Sequence, residues 1–165
     1  MAVAAITETR QYLTFKLTEE VFAVDVAEVR EILEYSTITK VPRTPLFMRG
    51  VINLRGSVVP VVDLRLKFGM PATEPTINTC IIVVEIDLAE DQLVLGMLAD
   101  SVQEVFELAP ESIEPAPRLG TKLDTAFIAG MGKYLEQFIM ILDTDRIFSA
   151  AELAEVQPEV AVANG

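Results

Sequence analysis

The chain of 165 residues has no histidine, no tryptophan and one cysteine, Cys80. Zinc sites of the Cys/His type need several such ligands, and Ser-His-Asp and Cys-His nucleophile pairs need an imidazole, so all three are excluded. A lone cysteine forms no internal disulfide, which agrees with a reducing compartment. The sequence carries no GxxxxGK[ST] or GxGxxG phosphate loop. Positive charge is scarce as well: 13 Lys and Arg stand against 25 Asp and Glu, for a net charge of −12. A nucleic-acid groove needs a basic footprint, so this balance argues against one. Long apolar runs are missing. The best candidate, Cys80 to Val84, meets Glu85 and then Asp87, far short of the roughly 20 residues of a membrane span. The opening MAVAAITETR has neither the basic start nor the apolar core of a signal peptide, and a cytoplasmic protein is expected. The many carboxylates show no spacing that singles out a catalytic pair, and no enzyme and no cofactor are expected.

What the sequence does have is an apolar fraction of 51% and a mean hydropathy of +0.39, enough for a substantial core and about the length of one domain. Short strands dominate. Tyr12–Leu17 alternates with period two, Thr18-Glu19-Glu20 reads as a turn, and Val21–Val24 resumes the apolar run. Ile81–Ile86, Leu93–Leu98 and Phe138–Leu142 are further strand candidates. Strands this short, with frequent turn signals, indicate small barrels or a sandwich.

The chain also repeats itself. VFAVDVAEVREIL (Val21–Leu33) aligns without a gap on VLGMLADSVQEVF (Val94–Phe106), 73 positions on, so that Val29 meets Val102 and Glu31 meets Glu104. Phe47–Phe68 aligns on Phe127–Phe148 at an offset of 80, matching Phe47 with Phe127, Gly50 with Gly130, Asp63 with Asp143 and Phe68 with Phe148. Two blocks in the same order indicate an internal duplication into two similar β units. Asp63 and Asp143 each follow an apolar strand and are expected to cap a short helical turn. Thr44-Pro45 predicts another short helix, Pro45–Arg49, stopped by Gly50, with its counterpart near Thr125–Ala129. Ser149-Ala150-Ala151-Glu152 fits a capping box that opens a C-terminal helix to about Val156, before Pro158. Asp25 with Glu28 predicts a helical turn that puts Val26, Val29 and Ile32 on one side. That stripe is either core or a surface groove for a partner helix.

In GVINLRGSVVPVV (Gly50–Val62) an arginine stands between two apolar strands. Gly56 suits the turn, because it accepts positive φ without penalty. Pro60 lacks an N–H, which predicts an edge or interrupted strand. At the offset of 80, Arg55 and Gly56 fall on Leu135 and Glu136. The second copy therefore builds the same hairpin without the arginine, which favours a functional reading of Arg55.

YLTFKL, FAVDVAEVREIL, ITKVPRTPLFMRGVINLRGSVVPVVDLR and LGMLADSVQEV together resemble the CheW family of bacterial chemotaxis coupling proteins, from about Gln11 to Phe148. GVINLRG followed by VPVVDL is the most specific part. The resemblance implies a mainly β fold of two five-stranded SH3-like or OB-like barrels, with short helical turns and a short C-terminal helix. It places one CheW-like domain at 10–150, with barrel halves of about 10–76 and 77–148 that exchange an element, and flexible tails at 1–9 and 157–165. It further implies an adaptor that joins the cytoplasmic tip of methyl-accepting chemoreceptors to the regulatory domain of the histidine kinase CheA. Such a protein is cytoplasmic and recruited to membrane-associated receptor arrays, with no nucleic acid, no direct membrane insertion and no catalysis.

By the same resemblance, the receptor site would comprise Leu13, Val26, Val29, Glu31, Ile32, Arg55 and Val102, with a Glu31–Arg55 ion pair at its rim. The kinase contact would lie around Ile38, Val41 and Met48. Three other readings compete: a CheW-like coupling protein of a twitching or gliding pathway, an OB-type nucleic-acid binder, and a paired-carboxylate enzyme. The acidic balance and the few aromatic residues weigh against the second, and the lack of any marked pair weighs against the third.

Overall fold

The computed structural model describes residues 8–88, 91–114, 127–134, 136–148 and 152. The predicted C-terminal helix, apart from Glu152, and the counterpart turn before Phe127 lie outside the described residues, as do most of both tails.

Eleven strands are described: β1 (Arg10–Leu17), β2 (Glu20–Asp25), β3 (Val29–Glu34), β4 (Met48–Leu54), β5 (Ser57–Asp63), β6 (Cys80–Leu88), β7 (Asp91–Ala99), β8 (Ser101–Leu108), β9 (Ile113–Glu114), β10 (Ile128–Tyr134) and β11 (Gln137–Leu142). Two four-residue helices follow β5 and β11: α1 (Leu64–Lys67) and α2 (Thr144–Ile147). The strands form two sheets, ordered β3-β6-β7-β5-β4 and β8-β1-β2-β11-β10-β9. The mainly β architecture is the one expected from the sequence. One sheet has the anticipated five strands, and the other gains a sixth of only two residues.

Each sheet takes strands from both halves of the chain. The hairpin β1-β2 sits among β8, β10 and β11, while β6-β7 sits among β3, β4 and β5. The only parallel pairings among the described strands mark these exchanges, and they are repeat-equivalent. Val61 of β5 faces Gly96 of β7, and Ile141 of β11 faces Ala23 of β2. Offsets of 80 and 73 convert one pair into the other, so the two halves trade their first hairpins reciprocally.

Alternation along the strands divides the core into three. On β6, Ile82, Val84 and Ile86 point into a large cluster shared by the two sheets. Ile81 and Val83 point instead into a smaller cluster with Ile52, Val59, Val61 and Leu98. The six-stranded sheet has its own small cluster around Tyr12, Val21, Ala23, Leu108, Ile139 and Ile141. The shared cluster includes Phe15, Phe22, Phe47, Phe68 and Phe148, each side chain worth about 1.5–3 kcal/mol on burial. Lys67 lies over the rings of Phe47, Phe127 and Phe148 at 5.4–5.6 Å, with its ammonium held by Glu152 at 2.6 Å. The repeat-equivalent Phe47 and Phe127 thus share one cation.

Both aspartate caps form as the repeat suggests. Asp63 accepts from the Arg65 N–H and Asp143 from the Asp145 N–H. In each copy the cap's own N–H donates to the matching phenylalanine carbonyl, Asp63 to Phe47 and Asp143 to Phe127.

Three local expectations are corrected. The helix placed at Pro45–Arg49 is a turn, and β4 already starts at Met48. Gly50 is not a helix stop. It lies at a β-bulge with φ +145°, where a Cβ would come within 2.1 Å of the Thr39 carbonyl oxygen. The strand carrying Pro60 is interior rather than an edge, between β7 and β4. Proline is tolerated there because its β4 neighbour Val51 turns both its N–H and its C=O to Thr39.

Candidate functional site

Strands β4 and β5 close on the pair Leu54–Ser57, which leaves Arg55 and Gly56 as a two-residue loop. Their φ values are +52° and +89°, the signature of a type I′ turn whose twist matches that of the flanking strands. Asn53 Oδ1 accepts from the Gly56 N–H at 2.8 Å. Glycine suits this conformation, whereas an arginine carries a steric penalty at its Cβ. The conformation aims Arg55 at β3, where Nη1 meets Glu31 Oε2 at 2.7 Å and Nη2 meets Oε1 at 2.9 Å. The expected ion pair is therefore present, in bidentate form. The pair spans from the tip of the β4-β5 hairpin to β3, the strand at the opposite edge of the sheet order. The hydrogen bond from Arg55 holds the Glu31 carboxyl below its ordinary range, and Glu31 in turn raises the Arg55 guanidinium.

The apolar stripe is real but is not helical. Only Val26–Glu28 forms a 3-10 turn, capped by Asp25 through the Ala27 N–H, and the chain then enters β3. A bulge between Val29 and Glu31 adds one residue. Val29 therefore pairs with Val84 and Ile32 with Ile82, both neighbours on the shared-core face. Residues three apart thus share a side on a strand. The second copy repeats the device: a bulge in the β1–β8 pairing sets Val102 opposite Phe15 and Val105 opposite Leu13. Thr14 fills that bulge, its hydroxyl donating to the Glu104 carbonyl and accepting from the Glu104 N–H.

The structure gathers Val26, Val29 and Val102 as half-buried residues on the shared core. Ile32 lies at the edge of the same face, 43% exposed. Leu13, 3% exposed, is a core residue that supports this face from beneath, because β1 is interior to its sheet. Reading the residues alone missed Val105, which is 49% exposed and is the counterpart of Ile32 at the offset of 73. A second pair was missed in the same way, since Val58 and Phe138 are both exposed and stand 80 apart. The repeat itself was the signal that could have found both.

The proposed kinase residues lie at the other end of the five-stranded sheet from Arg55. Ile38 packs on the small cluster of that sheet and Val41 on the shared core. Met48 is 7% exposed and belongs to the core, so it backs this end rather than forming its surface. Leu46, 90% exposed, is the large apolar side chain displayed there. Among the described residues no group of three His, Cys, Asp or Glu side chains is placed to hold a metal ion, and no helix is long and apolar enough to cross a membrane.

Comparison with known proteins agrees with this geometry. Residues 11–152 match the family model of the CheW-like domain. The chain is 35% identical to the chemotaxis protein CheW of Klebsiella aerogenes over 154 residues, 93% of this chain and 90% of that one. It is 32% identical to a probable chemotaxis protein CheW of Rhizobium etli, over 87% of this chain and 90% of that one. The crystal structure of the scaffolding protein TtCheW from Thermoanaerobacter tengcongensis superposes with a TM-score of 0.78 at 35% identity, covering 89% of this chain and 92% of that one. On the family-model match over residues 11–152 and 35% identity across nearly the whole chain, the chain belongs to the CheW-like domain family.

Proposed function

We propose that this protein is a chemotaxis adaptor that couples methyl-accepting chemoreceptors to a CheA-type histidine kinase, and that it is recruited to membrane-associated receptor arrays. The observation that carries the reading is the similarity to chemotaxis CheW proteins over nearly the whole chain. Val26, Val29, Ile32, Val102 and Val105 form the apolar surface for the helical receptor tip, with Leu13 beneath and the Glu31–Arg55 pair at the rim. Two edge strands, β3 and β8, supply matched residues to it, which suits an elongated helical partner with apolar side chains at helical spacing. The kinase contact uses the opposite end of the five-stranded sheet, with Leu46 displayed beside Ile38 and Val41 and with Met48 behind them.

The test is binding of a receptor-tip fragment to Ile32→Asp and Val105→Asp. Both side chains are about half exposed, so the unfolding midpoint should hold. The affinity should fall tenfold or more, as for the loss of an apolar anchor worth about 1.4 kcal/mol. Folded variants that bind as well as the parent contradict the assignment.

A further inference from the structure

Most of the described cations are engaged within the protein. Arg10, Arg30, Arg49, Arg55, Arg65 and Lys67 are each ion-paired. Lys40 and Arg43 are exposed and have no acidic partner among the described residues. Both lie in the connection between β3 and β4. Residues 35–48 contain no Asp or Glu, although the chain carries a net charge of −12. Leu46 follows in the same connection and is 90% exposed. A large apolar side chain therefore stands in the open beside two unpaired cations.

The connection that displays these groups is firmly held. Thr39 exchanges both of its backbone hydrogen bonds with Val51, and the Met48 N–H donates to the Pro45 carbonyl at 3.0 Å. The Thr44 hydroxyl donates to the Val41 carbonyl at 3.0 Å. Pro42 and Pro45 fix two φ angles. Ile38 and Val41 pack inward, and Phe47 is buried. Arg43 adopts φ +60°, a left-handed conformation that strains any residue with a Cβ. Glycine would adopt it freely, so an arginine there points to what its side chain presents. The repeat agrees. At the offset of 80, Arg43 and Leu46 fall on Leu123 and Ala126, and the second copy has neither the cation nor the large apolar group.

We infer that this connection is a charged anchor: Lys40 and Arg43 steer a partner protein whose surface offers an apolar recess bordered by carboxylates, and Leu46 fills the recess. Charge complementarity selects the occupant. Two unpaired cations in an acid-free stretch favour an anionic surface, and Leu46 gains only where it leaves water. An anionic membrane fits less well, because the rest of this acidic chain is repelled by it. On the proposed function, the carboxylate-bordered recess belongs to the regulatory domain of the kinase. Naming the kinase rests on that reading, whereas the chemistry of the occupant rests on the connection itself.

Association and dissociation rates of the full chain with a purified CheA-type kinase, at about 50 and about 300 mM salt, test the anchor. Arg43→Glu should slow association about tenfold at the lower salt, and the difference should shrink at the higher. Leu46→Ser should speed dissociation about tenfold. Lys133→Glu makes the same change of net charge at an exposed position on β10 and should leave both rates near those of the parent. Arg43→Gly suits the left-handed conformation, so it should hold the unfolding midpoint while slowing association; a lowered midpoint assigns Arg43 a folding role and overturns the inference. Parent-like rates in folded Arg43→Glu and Leu46→Ser overturn it as well, and kinase binding by the parent then leaves the adaptor reading standing. A parent that does not bind the kinase defeats that reading and takes this assignment with it. Cosedimentation with anionic vesicles, or self-association, that Arg43→Glu abolishes assigns the patch to a membrane or to a second copy and overturns the choice of partner.

Discussion

The guanidinium of Arg55, at the tip of one hairpin, grips both carboxylate oxygens of Glu31, 24 residues earlier on the far strand of the same sheet. Arg55 is largely exposed and takes a left-handed conformation that other residues adopt at less cost. Its counterpart in the repeat is Leu135, so the hairpin itself does not require the charge. Together these facts describe a group kept for what it presents rather than for the fold.

Arg55→Glu should therefore leave the unfolding midpoint essentially unchanged and weaken receptor coupling strongly. The exchange Glu31→Arg with Arg55→Glu rebuilds the pair with reversed polarity. Receptor binding together with midpoint measurements on the three proteins separates the roles: recovery in the double variant assigns the effect to the geometry of the pair, and continued loss assigns it to the cation. Unchanged affinity in a folded Arg55→Glu protein contradicts a functional role.

The two aspartate caps should differ in cost although the repeat makes them equivalent. Asp63 is fully buried and accepts four bonds, from the Arg65 and Thr73 N–H groups, the Thr73 hydroxyl and Arg49 Nη1. Removing it strands the Arg49 charge, and Asp63→Ala should cost about 3–5 kcal/mol. Asp143 is only half-buried, and its carboxylate caps the Asp145 N–H. Asp143→Ala should cost about 1 kcal/mol, as for a lost N-cap. Denaturant unfolding of the two variants checks the difference, and equal losses count against it.

Gly50→Ala should destabilise the protein by about 1–3 kcal/mol from backbone strain alone, and by more from the contact with the Thr39 carbonyl. The Thr39–Val51 bridge should open with it, which amide hydrogen exchange at Val51 and Thr39 reads directly. Protection equal to that of the parent contradicts this account of the bulge.

Much of this was legible in the sequence. Period-two alternation located β1, short apolar runs located β2, β6, β7 and β11, and the repeat located both aspartate caps. The exchange of hairpins was not legible in local pattern, because the short apolar runs of β1-β2 and β6-β7 carry no signal for which sheet they join. Val26, Val29 and Ile32 looked helical because a bulged strand also brings residues three apart to one side. Gly50 looked like a helix stop because positive φ serves a bulge as well as a C-cap. Leu13 and Met48 looked available because an apolar strand residue does not reveal which of its two faces is covered.

The central claim is that this chain makes a kinase answer to receptors. Reconstitution tests it most directly: purified protein, a CheA-type kinase and receptor-bearing membranes, with autophosphorylation of the kinase measured with and without attractant. The account predicts activity controlled by attractant only when all three are present, and its loss when Arg55→Glu replaces the parent. Kinase activity that responds to attractant equally well without this protein would contradict it.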